Sequence, residues 1–455
     1  MARTATAALA ALAAAACAGA PEPAPARPDK PAAELVPKRR SGWDALAPAA
    51  RGRVAAFAGD YARWLASAKT ARRAVASLVA LAGARGAEPL AAVRAPAAPG
   101  RTYIWMGPGG AAAAIVRVGR RPVEEGVRVV VASVDAPHIG LKQRPVYDAA
   151  GFALVDGAPY GDLDEAAWLV HPLALYVYAA ASGDAPAVDL ALGEAPEDPV
   201  FAIPDLLPHL ARQVQRDRIV DSPERLDAVA AASTAALMAY LAERGVDAAT
   251  LERAEMALVP AGPPVFVGVD RALLAGHGHR RRALAYAAVR ALVDGDAPHH
   301  TAIVAIVSRA AAGGDGAAGI AFARRAVDAA VAALATGDDV AGGLALGRAW
   351  RRSAALVAAD LGGARNRGVV LDPRADDALP AAVRRAVDAF DAGGVQWQIA
   401  TGERDRDAPA RDLATAGGDV VAFGLPVAGA GAPLELASTL DLYMGYRACA
   451  AWFAH

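Results

Sequence analysis

The sequence predicts an α/β sandwich interrupted by an inserted, more β-rich domain, and three observations carry that prediction. Phe57, Tyr61, Trp64 and Leu65 fall at the i, i+4, i+7, i+8 spacing of a helix with one buried face within residues 51–82. Residues 127–134 form a nearly continuous, valine-rich apolar run, as expected of a strand buried on both faces in a mixed or parallel sheet. The helix–strand alternation lapses between about residues 138 and 265 and then resumes.

Taken in order, the helix is followed by strands at 103–106, 113–118 and 127–134. The insertion carries short extended runs at 152–155, 173–179, 187–192 and 254–259 around one helix at 223–244, with Ser222 at its N-cap and Pro223 at its first position. Beyond 265 come helix 281–293, strand 302–307, helix 317–335, strand 354–359, helix 379–391, strands 395–399 and 420–423, and helix 434–453. A chain of 455 residues is long enough for more than one domain. The expected divisions are an export segment 1–19, a Pro/Ala-rich linker 20–40, an α/β domain in two parts (41–137 and 266–455), and the insertion at 138–265.

The export segment has a short basic start at Arg3, an apolar run from Ala5 to Ala16, and small residues directly before Cys17. That order has the shape of a secretory signal and is too short to span a bilayer. Small residues before a cysteine resemble a bacterial lipoprotein signal, which makes Cys17 the expected site of lipidation and the bacterial envelope the expected location. Ordinary signal cleavage and a chance alanine-rich run in a cytoplasmic protein are the alternatives. The tether 21–37 would hold the folded body away from a membrane surface, and a lipid on Cys17 is the only membrane attachment expected.

Lys+Arg 47 against Asp+Glu 48 gives a net charge of -1, so the overall balance carries no nucleic-acid footprint. Past the N-terminus every apolar stretch is broken by charge, Gly or Pro well short of the ~20 residues of a spanning helix.

Six separated runs share one likeness: "SVDAPHIGLKQRPVYD" (133–148), "YGDLDEAAWLVHPLAL" (160–175), "GEAPEDPVFAIPDLLPHL" (193–210), "VGVDRALLAGHGHRRRALAY" (267–286), "VQWQIATGE" (395–403) and "APLELASTLDLYMGYRA" (432–448). In order and spacing they resemble the aspartyl aminopeptidase (aminopeptidase I) family of dizinc metallopeptidases, from about residue 45 to the C-terminus. The resemblance implies a zinc-aminopeptidase-like α/β/α sandwich with a mixed central sheet, interrupted by a β-rich oligomerisation domain. It also implies a homo-oligomer built through dimers up to a dodecamer, and release of acidic N-terminal residues from peptides.

The residues that would carry that chemistry depart from the family's pattern. A dizinc peptidase needs His and carboxylate ligands, one of them bridging, and a glutamate base. Where the family has a His-x-Asp-Ser-Pro run this chain has Ser133 in place of the histidine, with the orienting carboxylate kept as Asp135. Where an Asp-Asp pair supplies the bridge, Arg280 and Arg281 follow Gly278 and His279. At an effective dielectric near 20, a guanidinium about 4 Å from a divalent ion is repelled by roughly 8 kcal/mol. The Glu-Glu pair that supplies base and ligand falls on Ala310 and Ala311, a later Ser-x-Asp run on Ser353-Ala354-Ala355, and the final histidine on Gly431. The expectation is therefore a pseudopeptidase with no metal cofactor, the active family's cofactor being zinc.

Other residues could in principle rebuild a site. His277 with His279, and His299 with His300, offer imidazoles, but the first pair sits in a glycine-rich loop beside three arginines and the second is expected to point in opposite directions. Solvated or loop-capping histidines are the simpler expectation. Ser133 and Ser308 lack a recognisable triad histidine or a G-x-S-x-G elbow. Arg280, Arg281 and Arg309 invite an anion-binding pocket for an anionic small molecule or peptide; the competing reading has one arginine paired with Asp135 and the rest facing solvent. His209 matches a histidine of the inserted domain that reaches a neighbouring subunit in the family.

Overall fold

The computed structural model describes residues 41–94, 96–183, 185–204, 226–308, 316–335, 344–372, 380–400 and 419–455. Cys17, the segments 1–19 and 20–40, His209, Ser222, Pro223, Arg309, Ala310 and Ala311 lie outside the described residues.

Two helices open the body, α1 (Pro48–Ser67) and α2 (Ala71–Gly83). The sequence suggested one helical stretch here. Thr70 divides it, because its side chain accepts from Arg73 N and starts a new helix. Then come β1 (Glu88–Pro89), β2 (Thr102–Met106), β3 (Ala113–Arg117) and β4 (Val127–Ser133). The segment that follows holds β5 (His138–Ala149), β6 (Phe152–Tyr160), α3 (Glu165–Trp168), β7 (Leu173–Ala179), β8 (Val188–Leu192), β9 (Ala228–Ala231), α4 (Thr234–Ala242), α5 (Ala248–Arg253) and β10 (Glu255–Pro260). After it run β11 (Val265–Val267), β12 (Leu273–Gly276), α6 (His279–Asp294), β13 (Thr301–Val307), α7 (Gly316–Leu334), α8 (Leu344–Arg352), β14 (Ala354–Ala358) and β15 (Val369–Asp372). The chain finishes with α9 (Pro380–Ala392), β16 (Trp397–Ile399), β17 (Asp419–Gly424), β18 (Val427–Ala428), β19 (Glu435–Ser438) and α10 (Thr439–Ala454).

Two expectations need correction. The described part of the single helix expected at 223–244 is instead strand β9 followed by α4, whose start is fixed by Ser233 accepting from Ala236 N. The helix expected at 434–453 begins only at Thr439, because residues 435–438 pair with β12 and Ser438 supplies the cap. Both errors arise where a short apolar run suits helix and strand equally.

Nine strands form the central mixed sheet in the order β1-β2-β3-β13-β4-β14-β17-β15-β16. At its centre β13, β4, β14 and β17 are mutually parallel. Alternate residues of β4 face opposite layers: Val130 and Ala132 pack with α1, α2, α6, α9 and α10, whereas Val127, Val129 and Val131 pack with α7 and α8. This is an α/β/α sandwich, and burial on both faces explains the nearly continuous, valine-rich run. A second sheet, β8-β7-β10-β5-β6-β9, is antiparallel throughout and has its own core around Trp168, Leu173 and Leu258. A third, β11-β12-β19-β18, lies in the chain beside α6 and α10. Cys449 is a buried free thiol of α10. Among the described residues no helix is long and apolar enough to cross a membrane.

Candidate functional site

In a sheet with parallel central strands, functional groups gather beyond the C-terminal ends of those strands. Here Val307 of β13 lies opposite Ser133 of β4, and Val357 of β14 lies opposite Val131. The residues just past these ends are Val134 and Asp135, Ser308, and Ala359 and Asp360.

Asp135 is buried and held by two hydroxyls. Ser308 Oγ donates to its Oδ1 at 3.2 Å, and Ser133 Oγ lies 3.5 Å from Oδ2 while accepting from Asp135 N at 3.2 Å. Neither serine bonds a histidine among the described residues. Ser133 and Ser308 therefore serve the carboxylate and form no nucleophile–base pair.

Helix α6 brings the arginines in. Gly278 stands at its N-cap with φ +87°, and a Cβ there would meet Arg282 Nη1 at 2.6 Å and the Ala136 side chain at 2.9 Å. Only glycine permits so close an approach in that conformation. Glu435 anchors the first turn by accepting from Arg280 N at 2.8 Å. Burial pushes the Glu435 carboxyl up from its ordinary pKa, against the pull of the N–H groups of Arg280 and Gly431.

Arg280 spans two carboxylates: Nη1 lies 3.3 Å from Asp162 and Nη2 2.9 Å from Asp360. Arg281 shares Asp360, also at 2.9 Å. Burial alone would lower the pKa of Arg280, but Asp360 and Asp162 override it and hold the guanidinium above its ordinary value. The two arginines expected to face an outside anion or solvent thus already hold carboxylates of their own chain.

Arg282 differs from both. It is fully buried, with Nε on Val134 O (3.0 Å), Nη2 on Lys69 O (2.9 Å) and Nη1 on Nδ1 and O of His277 (3.3 and 3.4 Å). Burial lowers its pKa to about 10. It makes no ion pair with Asp135, and Arg309, the fourth arginine for which such a pair was expected, lies outside the described residues.

Gly431 is drawn into the same corner. Its carbonyl accepts from Trp168 Nε1 at 2.8 Å and from Asp164 N at 3.1 Å, and a Cβ on it would stand 2.3 Å from Asp162 O. Ala355 is not here. It pairs with Val129, four residues before Ser133, which places it about 13 Å down the sheet. The group that β14 delivers to the site is Asp360, which sequence reading missed by matching Ser353 too early. The usable signal was the carboxylate at the end of the apolar run 354–359.

The histidines also depart from expectation. His277 and His279 are buried, not solvated: His277 Nε2 bonds Pro137 O at 2.7 Å, and His279 Nδ1 meets Tyr61 OH at 3.0 Å. Burial holds His277 well below the ordinary pKa and drives His279 down to about 3. His299 and His300 do not diverge; their rings meet edge to face at 4.8 Å, at the opposite end of β13. Among the described residues no group of three or more His, Cys, Asp or Glu could hold a metal ion.

The sequence model of the aminopeptidase I zinc metalloprotease (M18) family matches residues 64–323. A probable M18 family aminopeptidase 1 of Thermotoga neapolitana is 28% identical over 439 residues, covering 88% of this chain and 95% of its own length. The crystal structure of an M18-family aminopeptidase from Thermotoga maritima superposes with a TM-score of 0.81 at 26% identity, covering 92% of this chain and 99% of that one. At 17% identity, the fold extends to the S. cerevisiae mApe1 dodecamer, with a TM-score of 0.69 over 88% of this chain and 96% of that one. The nine-stranded sandwich, its companion antiparallel sheet and these matches place the chain in the M18 aminopeptidase I family.

Proposed function

We propose that this chain is a non-catalytic M18 homologue, a pseudopeptidase that acts as a binding or scaffold subunit. The observation that carries the reading is Arg280, bound by Asp360 and Asp162, standing where the family resemblance calls for a bridging carboxylate. Zinc sites take imidazole, thiolate or carboxylate donors. The described positions here offer the Ser133 hydroxyl, a guanidinium and the bare Gly431, and Asp360 is already neutralised by Arg280 and Arg281. This donor set does not fit a zinc pair. Ala310 and Ala311 supply no base in the sequence.

The reading extends to a homo-oligomer built through dimers, for which the dodecamer of the yeast relative is the support. It also extends to export and lipidation at Cys17, supported by the small residues before that cysteine. The alternative is an active zinc aminopeptidase acting on acidic N-termini, favoured by the match to aminopeptidase relatives over most of the chain.

Elemental analysis after zinc loading and desalting, with an aminopeptidase assay on aspartyl and glutamyl substrates, separates the two. No retained metal and no turnover from folded protein is the expected result. About two zinc ions per chain with turnover would overturn it.

A further inference from the structure

A cavity of about 330 Å³ lies between the α1–α2 connection, the end of β4 and the antiparallel sheet. Its size falls within the range of small-ligand pockets. Asp135 and Arg282 reach it from the sandwich side, whereas Ser133, Arg280 and Asp360 do not line it. Its walls include Tyr160, Tyr176, Tyr178 and Met256.

Four cations line this space, and three of them are matched by acids. Arg72 pairs with Glu255 at 3.0 Å and covers the Tyr178 ring; Arg73 pairs with Asp189 at 2.7 Å and lies over Tyr176. Lys69 Nζ bonds Pro260 O and Gly262 O and stands 3.6 Å from Glu194. Arg282 has no carboxylate within 4 Å among the described residues, although it is the most deeply buried of the four. A buried charge without a counter-charge is costly unless something compensates it.

The hydrogen bonds show where compensation can enter. His277 donates through Nε2 to Pro137 O, so its Nδ1 is the acceptor for Arg282 Nη1. Nε and both Nη1 hydrogens are then used, and Nη2 gives one hydrogen to Lys69 O. One Nη2 hydrogen of the guanidinium has no acceptor among the described residues.

We propose that this cavity binds a small organic carboxylate, whose anionic end pairs with Arg282 and whose apolar body packs against Tyr160, Tyr176 and Met256. A free carboxylic acid and the C-terminus of a short peptide share that chemistry. The site is separate from the Arg280–Asp360 cluster and does not depend on whether the chain holds zinc.

The test is calorimetric titration of the full chain with phenylacetate, neutral phenylacetamide and the dipeptide Gly-Phe. Phenylacetate should bind saturably and at least tenfold more tightly than the amide. Tighter binding of the dipeptide than of phenylacetate assigns the source to a peptide terminus, and the reverse order assigns it to a free acid. Arg282→Gln should abolish binding, but it removes a buried anchor. The independent variant is Gly140→Leu, since Gly140 shares a face of β5 with His138, both line the cavity, and a Cβ there meets only Ala158 O at 3.8 Å. A folded Gly140→Leu protein should lose phenylacetate binding by at least tenfold. Equal binding of acid and amide, no binding of either carboxylate at millimolar concentration, or unchanged binding in Gly140→Leu overturns the proposal.

Discussion

Arg280 Nη2 lies 2.9 Å from Asp360 Oδ2, with the two side chains only 17% and 12% exposed, and Arg281 reaches the same carboxylate. Asp360 is thus shared by two guanidinium groups, while Arg280 also holds Asp162. Asp360→Asn leaves two adjacent cations with one fewer counter-charge, and the expected loss is about 3 kcal/mol, the scale for breaking a largely buried pair. Urea unfolding of the variant against the parent measures it. A change below about 0.5 kcal/mol would show that the cluster is solvated and inert.

Gly431 should not tolerate a side chain. Its φ of +84° disfavours any L-residue, and a Cβ would lie 2.3 Å from Asp162 O. Gly431→Ala is expected to cost roughly 2 kcal/mol or more in strain and displacement. Gly431→His, which would place an imidazole there, meets the same obstruction. Thermal melts of both variants check this: a His variant as stable as the parent would mean that the 429–431 turn relaxes freely.

Stability should fall with acid over a defined window. His279 has its pKa lowered by burial from 6.5 to about 3, His300 to about 4, and His138, His171 and His277 are lowered as well. Below pH 6.5 the unfolded chain takes up more protons on these rings than the folded chain does. The stability they contribute is complete above 6.5 and is lost as the pH drops towards about 3. Asp441, pushed up to about 7 by burial, and Glu435, also raised, act in the opposite sense. Five groups therefore act in one sense and two in the other, with His277 and His279, the most deeply buried rings, carrying most of the decline. Urea midpoints at pH 7.5, 6 and 5 should decline in step, and a flat series would contradict these burial shifts.

Trp452 ties α10 to the sheet. It is fully buried and its Nε1 donates to Val129 O at 3.2 Å. Trp452→Ala should cost about 3–5 kcal/mol through the space it vacates, and Trp452→Phe markedly less. Guanidinium titration of both variants reads the difference; equal losses would shift the weight from packing to the hydrogen bond.

The layered fold was legible because burial writes itself into sequence. The run 127–134 is apolar on both faces except at Arg128 and Ser133, and β4 is packed on both sides. Helix α6 was legible through its periodic apolar residues, but not the roles of its arginines. Nothing local distinguishes Arg280, which faces Asp162 and Asp360, from Arg282, which is buried behind Val134; helical rotation and strand register decide it. Asp360 was missed for the same reason, since only the pairing of β14 with β4 shows how far along that strand the site lies.

The order of the central sheet also sets a timetable for the nascent chain. Strand β4 ends at Ser133, but its neighbours β13 and β14 begin at Thr301 and Ala354. At roughly 5–20 residues per second, a ribosome needs on the order of ten to thirty seconds to deliver the first of them. Throughout that interval a valine-rich strand has neither of its eventual neighbours. The intervening antiparallel sheet, whose strands lie between His138 and Pro260, can close on itself in the meantime. Both edges of β4 therefore stay open to stray pairing during synthesis, until Thr301–Val307 arrives to cover one of them.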